Sequence, residues 1–353
     1  MSTERIGKVQ TVRGLIEPHE MGITMMHEHL VMDFRHRYGP PAEIGRIVLA
    51  DAPLTVERRM DVLYDPFGNI DNLKLFDEQT AIDEVMQFKL AGGGTIVDAT
   101  TVGLGRDPFA LRRISAASGL HVSMGAGYYV YISHPPDMDE RSEDSIFEEI
   151  VHDVNLGVGD SGIRCGHIGE IGCEMQTPNE MKVVRAAARA QRATGAMLNI
   201  HQEYLLTGLD IHPIADAIEA AGGDLTRTVI SHSDGRESNF DQHVSLLERG
   251  LTLEYDAFGI ECYFAASGVQ FPQDSERIRA LKRLCDAGWS KQLVIAQDIC
   301  MKMMMEKYGG WGYGHILKRI VPRFRKDGFS EAEIDAMLID NPRRLLPFVA
   351  PRP

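Results

Sequence analysis

The stretch GITMMHEHLVMDF (residues 22–34) sets two histidines, His27 and His29, two residues apart with Glu28 between them. Residues i and i+2 of a strand point to the same face. If this apolar run is a strand, two imidazoles project together and Glu28 turns away, into a structural position in the helix layer. Four more residues of ligand type end other apolar runs: Glu170 in HIGEIGCE, His201 in MLNIHQE, His232 in TVISHSD and Asp298 in LVIAQD. Imidazole and carboxylate are ligands for zinc, manganese, iron(II) or cobalt rather than for calcium alone.

Each residue taken singly has a plainer reading. A strand-end histidine is more often hydrogen-bonded in place than a ligand. Asp298 alone would serve as a helix N-cap, and Glu170 alone would pair with an arginine. The joint pattern decides: five separate runs each end in a ligand-type residue. Six such residues exceed the three protein ligands of a mononuclear catalytic zinc. They fit two divalent ions, zinc first, with manganese, iron or cobalt as alternatives. Two ions about 3.5–4 Å apart need a bridge, and the Glu170 carboxylate can supply it. Water shared by such ions ionises near neutral pH and becomes the nucleophile. Asp298 would bind one ion and take the proton during attack.

Something must bring those run ends together. Eight strand-type runs are predicted: Gly22–Met32, Gly94–Ala99, His121–Gly127, Cys165–Ile171, Ala196–His201, Thr228–His232, Leu251–Tyr255 and Leu293–Asp298. Each is apolar on both faces, as in a covered parallel sheet. Helical patterns alternate with them, among them DEQTAIDEVMQFKLAGGG, DPFALRRISAASG, TPNEMKVVRAAARAQRATG, HPIADAIEAAGG and DSERIRALKRLCDAG. Thr-Pro followed by Glu in TPNE reads as a capped start with Pro in the first turn. Eight strand–helix repeats predict a (β/α)8 barrel, whose strand ends converge on one mouth. A doubly wound sheet is the runner-up, but no glycine-rich turn follows the first strand. The segment between His29 and Asp77 lacks periodicity and reads as a loop insertion (33–76) over one barrel end. No domain boundary stands out, so residues 1–353 read as one domain.

Bulk properties narrow the function. The 353 residues are 44% hydrophobic and 25% charged, enough for a sizeable core. A net charge of -14 disfavours nucleic acid as a partner. No apolar run is long enough to span a bilayer. The start, MSTERIGKVQ, lacks a signal-type apolar region. The five cysteines are odd in number and scattered, which reads as free thiols in a reducing cytoplasm.

With GKVQTVRGLIEP, GITMMHEHL, AGGGTIVDAT, GAGYYV, CGHIGEIGC, VISHSD, LEYDAFG, AQDI, KYGGWGYGHIL and IDNPRRLL, the sequence resembles the phosphotriesterase family of the amidohydrolase superfamily, and most closely its phosphotriesterase-related branch. The matches run from about residue 7 to 346. The resemblance implies a (β/α)8 barrel with a two-metal hydrolytic site and a homodimer. It implies His27, His29 and Asp298 on the more buried ion and His201 and His232 on the more exposed one. Many family members bridge the ions with a carboxylated lysine; Glu170 aligns there, as in the phosphotriesterase-related branch. Tyr129, in GAGYYVYI, matches a tyrosine that lactonase-type relatives hold near the metals, although a packed aromatic is the bland alternative. Glu174 would replace Glu170 as the bridge if the strand register differed. Lys302, soon after Asp298, would attract an anionic substrate group, and Met301 and the methionines at 303–305 would pack or line a pocket. The branch resembles enzymes that cleave N-acyl amides, including N-acetyltaurine. Hydrolysis of a small N-acyl amide is therefore the expected reaction. Ester or lactone opening with side activity on phosphotriesters comes second. Some relatives carry a resiniferatoxin-binding label, so a metal-containing binding protein without catalysis is the alternative of another class.

Overall fold

A computed structural model of the chain describes residues 3–41, 44–203, 210–236, 240–265 and 268–352. The barrel strands are β1 (Ile23–Glu28), β2 (Gly93–Asp98), β3 (His121–Ala126), β4 (His167–Cys173), β5 (Leu198–Gln202), β6 (Thr228–Ile230), β7 (Thr252–Tyr255) and β8 (Leu293–Ile295). They form one parallel sheet in sequence order. All eight expected strands are present, several shorter at their C-terminal ends. His29, His232 and Asp298 therefore stand just beyond their strands, on the loops of the mouth.

Helices α1 (Glu78–Leu90), α2 (Pro108–Ser118), α3 (Glu143–Asn155), α4 (Pro178–Thr194), α5 (His212–Ala220), α6 (Phe240–Glu248) and α7 (Asp274–Asp286) follow the first seven strands. Helical turns over 316–326 and 331–345 follow the eighth. The starts are encoded locally. Asp77 accepts from the N–H groups of Gln79 and Thr80, and Asp107 from those of Phe109 and Ala110. Thr177 and Glu180 form the expected capping box around Pro178. Along α4, Val183, Val184, Ala186, Ala187, Ala188 and Ala190 are buried. Removing a valine-sized side chain from water contributes about 1.5–3 kcal/mol, so such a stripe fixes which face meets the sheet.

β1 and β8 meet at the seam of the barrel with little ladder between them. Asp298 N–H donates to the His27 carbonyl (3.2 Å). The Glu28 carboxylate accepts the N–H groups of Gln297 and Ile299, both at 3.0 Å. Glu28 thus does not rest in the helix layer. It ties the end of the first strand to the exit of the last, and stays structural.

The insertion is more ordered than a plain loop. Met32–Asp33 pairs antiparallel with Lys74–Leu75, closing its neck. Short helices occupy Ile44–Ile47 and Arg59–Leu63, while residues 42 and 43 lie outside the described residues. Asn72 and Arg59 bond the backbone of Met303, so the insertion is pinned to the segment after β8.

Candidate active site

The period of two works at the mouth as expected. His27 is fully buried and His29 nearly so. The His29 Nδ1 lies 2.9 Å from Thr100 Oγ1, which turns Nε2 toward Asp298 Oδ1 (3.1 Å) and Glu170 Oε1 (3.5 Å). The His27 Nδ1 faces Ser231 Oγ (3.1 Å) and Glu254 Oε2 (3.3 Å), and its Nε2 points at Glu170 Oε2 (3.3 Å).

Glu170 stands among all four imidazoles. Its Oε2 is 2.8 Å from His201 Nδ1 and 3.6 Å from His232 Nε2. Two glycines of HIGEIGC permit this. A Cβ on Gly169 (φ 122°) would come within 2.4 Å of the Asn199 carbonyl oxygen. One on Gly172 would strike the Tyr129–Val130 backbone at 2.2–2.3 Å. Bare backbone at these positions lets β5 and the Tyr129 loop close on the glutamate. Glu174 does not take the bridging place; its Oε1 lies 3.2 Å from the outer nitrogen of His201, Nε2.

His232 (φ 56°) and Asp298 (φ 47°) both have left-handed backbone. His and Asp enter that region more readily than most residues, but it still costs energy, and such strain concentrates at functional sites.

Sequence reasoning passed over a second pair with the same spacing. Glu254 and Asp256, within LEYDAFG, project from β7 and its exit into the barrel. Asp256 accepts the His232 N–H at 2.9 Å and lies 2.8 Å from His232 Nδ1. Glu254 takes Asn199 Nδ2 (3.0 Å) and Ser231 Oγ (2.8 Å) beside His27. The E-x-D alternation carried the same signal as H-x-H.

Burial by itself lowers the His27 pKa, but Glu170, Glu254 and Asp256 carry it well above the usual value. Burial likewise opposes, and Asp256 and Glu170 overcome, so that His232 is raised to about 10. Burial would raise Glu170, whereas His27 and His201 hold it well below the carboxylate range. The cluster therefore demands positive charge at its centre. Divalent cations answer that demand. The ligand atoms of His27, His29 and Asp298 lie within 4.8 Å of one another, as do those of His27, Glu170 and His232. The His27 Nε2 is buried and, although 3.3 Å from Glu170 Oε2, makes no aligned hydrogen bond among the described residues, as a nitrogen aimed at a metal would not. The donor set fits.

A cavity of about 680 Å³, part of it open to solvent, lies over this cluster. Met32, Phe34, Phe67, Ile260, Phe264 and Phe271 give it apolar walls, and Met301 and Met304 line it too. The Tyr129 hydroxyl reaches into it, 3.4 Å from His201 Nε2. Lys302 does not line it. Its ammonium is caught by Asp71 of the insertion at 2.7 Å, which corrects the expectation that it meets substrate. Among the described residues, the lysine or arginine at the wall is Arg37, paired with Glu174. Its position depends on the path of the insertion, which no periodicity encodes.

Among the described residues, no helix is long and apolar enough to cross a membrane. The phosphotriesterase family model matches residues 7–346. An N-acetyltaurine hydrolase from Salmo salar is 40% identical over 351 residues, covering 97% of this chain and 98% of that protein. A phosphotriesterase-related protein from Nematostella vectensis is 38% identical, covering 97% of this chain and 99% of its own. A solved structure of a resiniferatoxin-binding protein from Rhodobacter sphaeroides matches with a TM-score of 0.93 and 40% identity, over 96% of this chain and 95% of that one. The chain belongs to the phosphotriesterase family and is a metal-dependent hydrolase.

Proposed function

We propose that the chain hydrolyses a small N-acyl amide, of the N-acetyltaurine or N-acyl amino acid type, at a site for two divalent ions. The observation that carries this reading is Glu170, a side-chain carboxylate that needs no modification, set among four imidazoles. The 40% identity with an N-acetyltaurine hydrolase over nearly the whole chain supports the substrate class. His27, His29 and Asp298 would hold the deeper ion and His201 and His232 the other, with Glu170 between them. Bound ions, zinc by preference, supply Lewis acidity and lower the pKa of water. Asp298 receives the proton of the attacking water and passes it to the leaving amine. The Tyr129 hydroxyl donates to the substrate carbonyl oxygen as charge builds there. The apolar walls orient the acyl group and exclude bulk water. We read the protein as a homodimer in a reducing cytoplasm; the five cysteines are free and buried.

The test is hydrolysis by zinc- or manganese-loaded protein, with the metal-stripped form as control. The panel holds N-acyl amino acids, N-acetyltaurine, lactones and an aryl phosphotriester. Metal-dependent amide cleavage is expected. Lactone opening with every amide left intact would replace this reading with a lactonase.

The match to a resiniferatoxin-binding protein favours a second reading, ligand binding without turnover. Asp298→Asn separates the two. A hydrolase should lose roughly 10²–10⁴-fold in turnover while retaining some metal; a binder should keep its ligand affinity.

A further inference from the structure

The charged side chains lining the cavity are unequal in sign. Apart from the imidazoles, Glu170, Glu174, Glu203 and Asp298 are carboxylates, and Arg37 is the one lysine or arginine among the described lining residues. Arg37 is fixed in the wall. Its Nη2 pairs with Glu174 Oε1, its guanidinium carbon lies 5.9 Å from the centre of the Tyr129 ring, and its side chain is 19% exposed. Its Nε–H is buried with no hydrogen-bond partner among the described residues. A buried donor left unmet is costly unless a ligand meets it.

We propose that Arg37 reads the acid end of the substrate and so sets a preference for N-acyl amides that end in a carboxylate or sulfonate. The proposal rests on the amide reading above. The span agrees with it. Glu174 Oε1, which holds Arg37, is 3.2 Å from His201 Nε2, and the other nitrogen of that ring is 2.8 Å from Glu170. One imidazole and one carboxylate oxygen therefore separate the guanidinium from Glu170. In an N-acyl amide with two methylenes before its acid, the carbonyl carbon and the acid centre are roughly 5 Å apart by standard bond lengths. With its carbonyl at the cluster, such a molecule brings its acid to Arg37. A planar guanidinium meets two oxygens of one acid together, which an ammonium does not. Glu174 holds the fork in place between turnovers.

The experiment compares kcat/KM for N-acetyltaurine, N-acetyl-β-alanine and uncharged N-propylacetamide. The enzymes are zinc-loaded wild type, Arg37→Lys and Arg37→Met, each checked for fold and metal content. The ratio of acid to neutral substrate should fall about 100-fold in Arg37→Met, mainly through KM, with Arg37→Lys intermediate. The two acids separate sulfonate from carboxylate preference. If Arg37 acts only by steadying Glu174 and His201, all three substrates decline together and the ratio stays put; that result overturns the proposal. Should Arg37→Met fail to fold, the ratio in Arg37→Lys decides. If wild type cleaves none of the three, the amide reading fails. Calorimetric titration with ethanesulfonate then judges Arg37 alone: binding at least about tenfold weaker in the variant upholds it, and equal binding rejects it.

Discussion

The two sides of the cluster are supported in different ways. On the β1 side, His29 leans on a neutral hydroxyl, Thr100, while His27 faces Ser231 and Glu254 with one nitrogen and leaves the other without an aligned hydrogen bond among the described residues. On the β5–β6 side, charged groups do the steadying. Asp256 grips both the backbone and the ring of His232, and Glu174 with Arg37 backs His201. Both sides place a left-handed residue just past a strand end, Asp298 on the first and His232 on the second. The difference is one of charge: the first side mixes hydroxyls with a carboxylate, and the second relies on carboxylates. Precision on both sides comes from the shell around the cluster, and that shell is more highly charged on the second.

Substitutions should expose that asymmetry. Glu170→Gln removes the shared carboxylate charge. It should release both ions and lower kcat/KM by at least ~10³-fold, read by metal analysis beside kinetics; retention of two equivalents would count against the bridging role. Asp256→Asn strikes the β6 side hardest, because Asp256 holds both the backbone and the ring of His232 and only approaches His27 Nδ1, at 3.5 Å. In a chelator titration the first equivalent released should weaken roughly 10–100-fold while the second holds. Thr100→Val removes a neutral hydrogen bond from the β1 side and should weaken the other equivalent by a few-fold at most, as for a bond worth about 1 kcal/mol. Equal effects of the last two would erase the contrast. Touching neither side's support, Tyr129→Phe should slow amide cleavage about tenfold or less with metal content intact.

Much of this was legible beforehand for a physical reason. Parallel strands buried on both faces announce themselves by apolar runs, and barrel topology sends their C-terminal ends to one place. His27, His29, Glu170, His201, His232 and Asp298 are readable that way, and the structure brings their side chains together. Glu254 and Asp256 obey the same rule and were readable by it. Arg37 was not. It reaches the cavity because an aperiodic insertion folds back over the mouth, anchored by Asn72, Arg59 and the Asp71–Lys302 pair. Lys302 misled for the complementary reason: nearness in sequence to Asp298 fixes where its backbone runs, while its charge answers to a partner 231 residues away.

The left-handed backbone at His232 and Asp298 sets evolution two competing tasks. Glycine would adopt those angles freely, whereas each present residue holds them at about 1–3 kcal/mol. Selection for heat resistance without selection for turnover should therefore enrich Asp298→Gly early, yielding hardier and inert descendants, whereas His232→Gly would strand the buried Asp256 carboxylate. Where Asp298 persists in a lineage, it records that catalysis has outweighed durability.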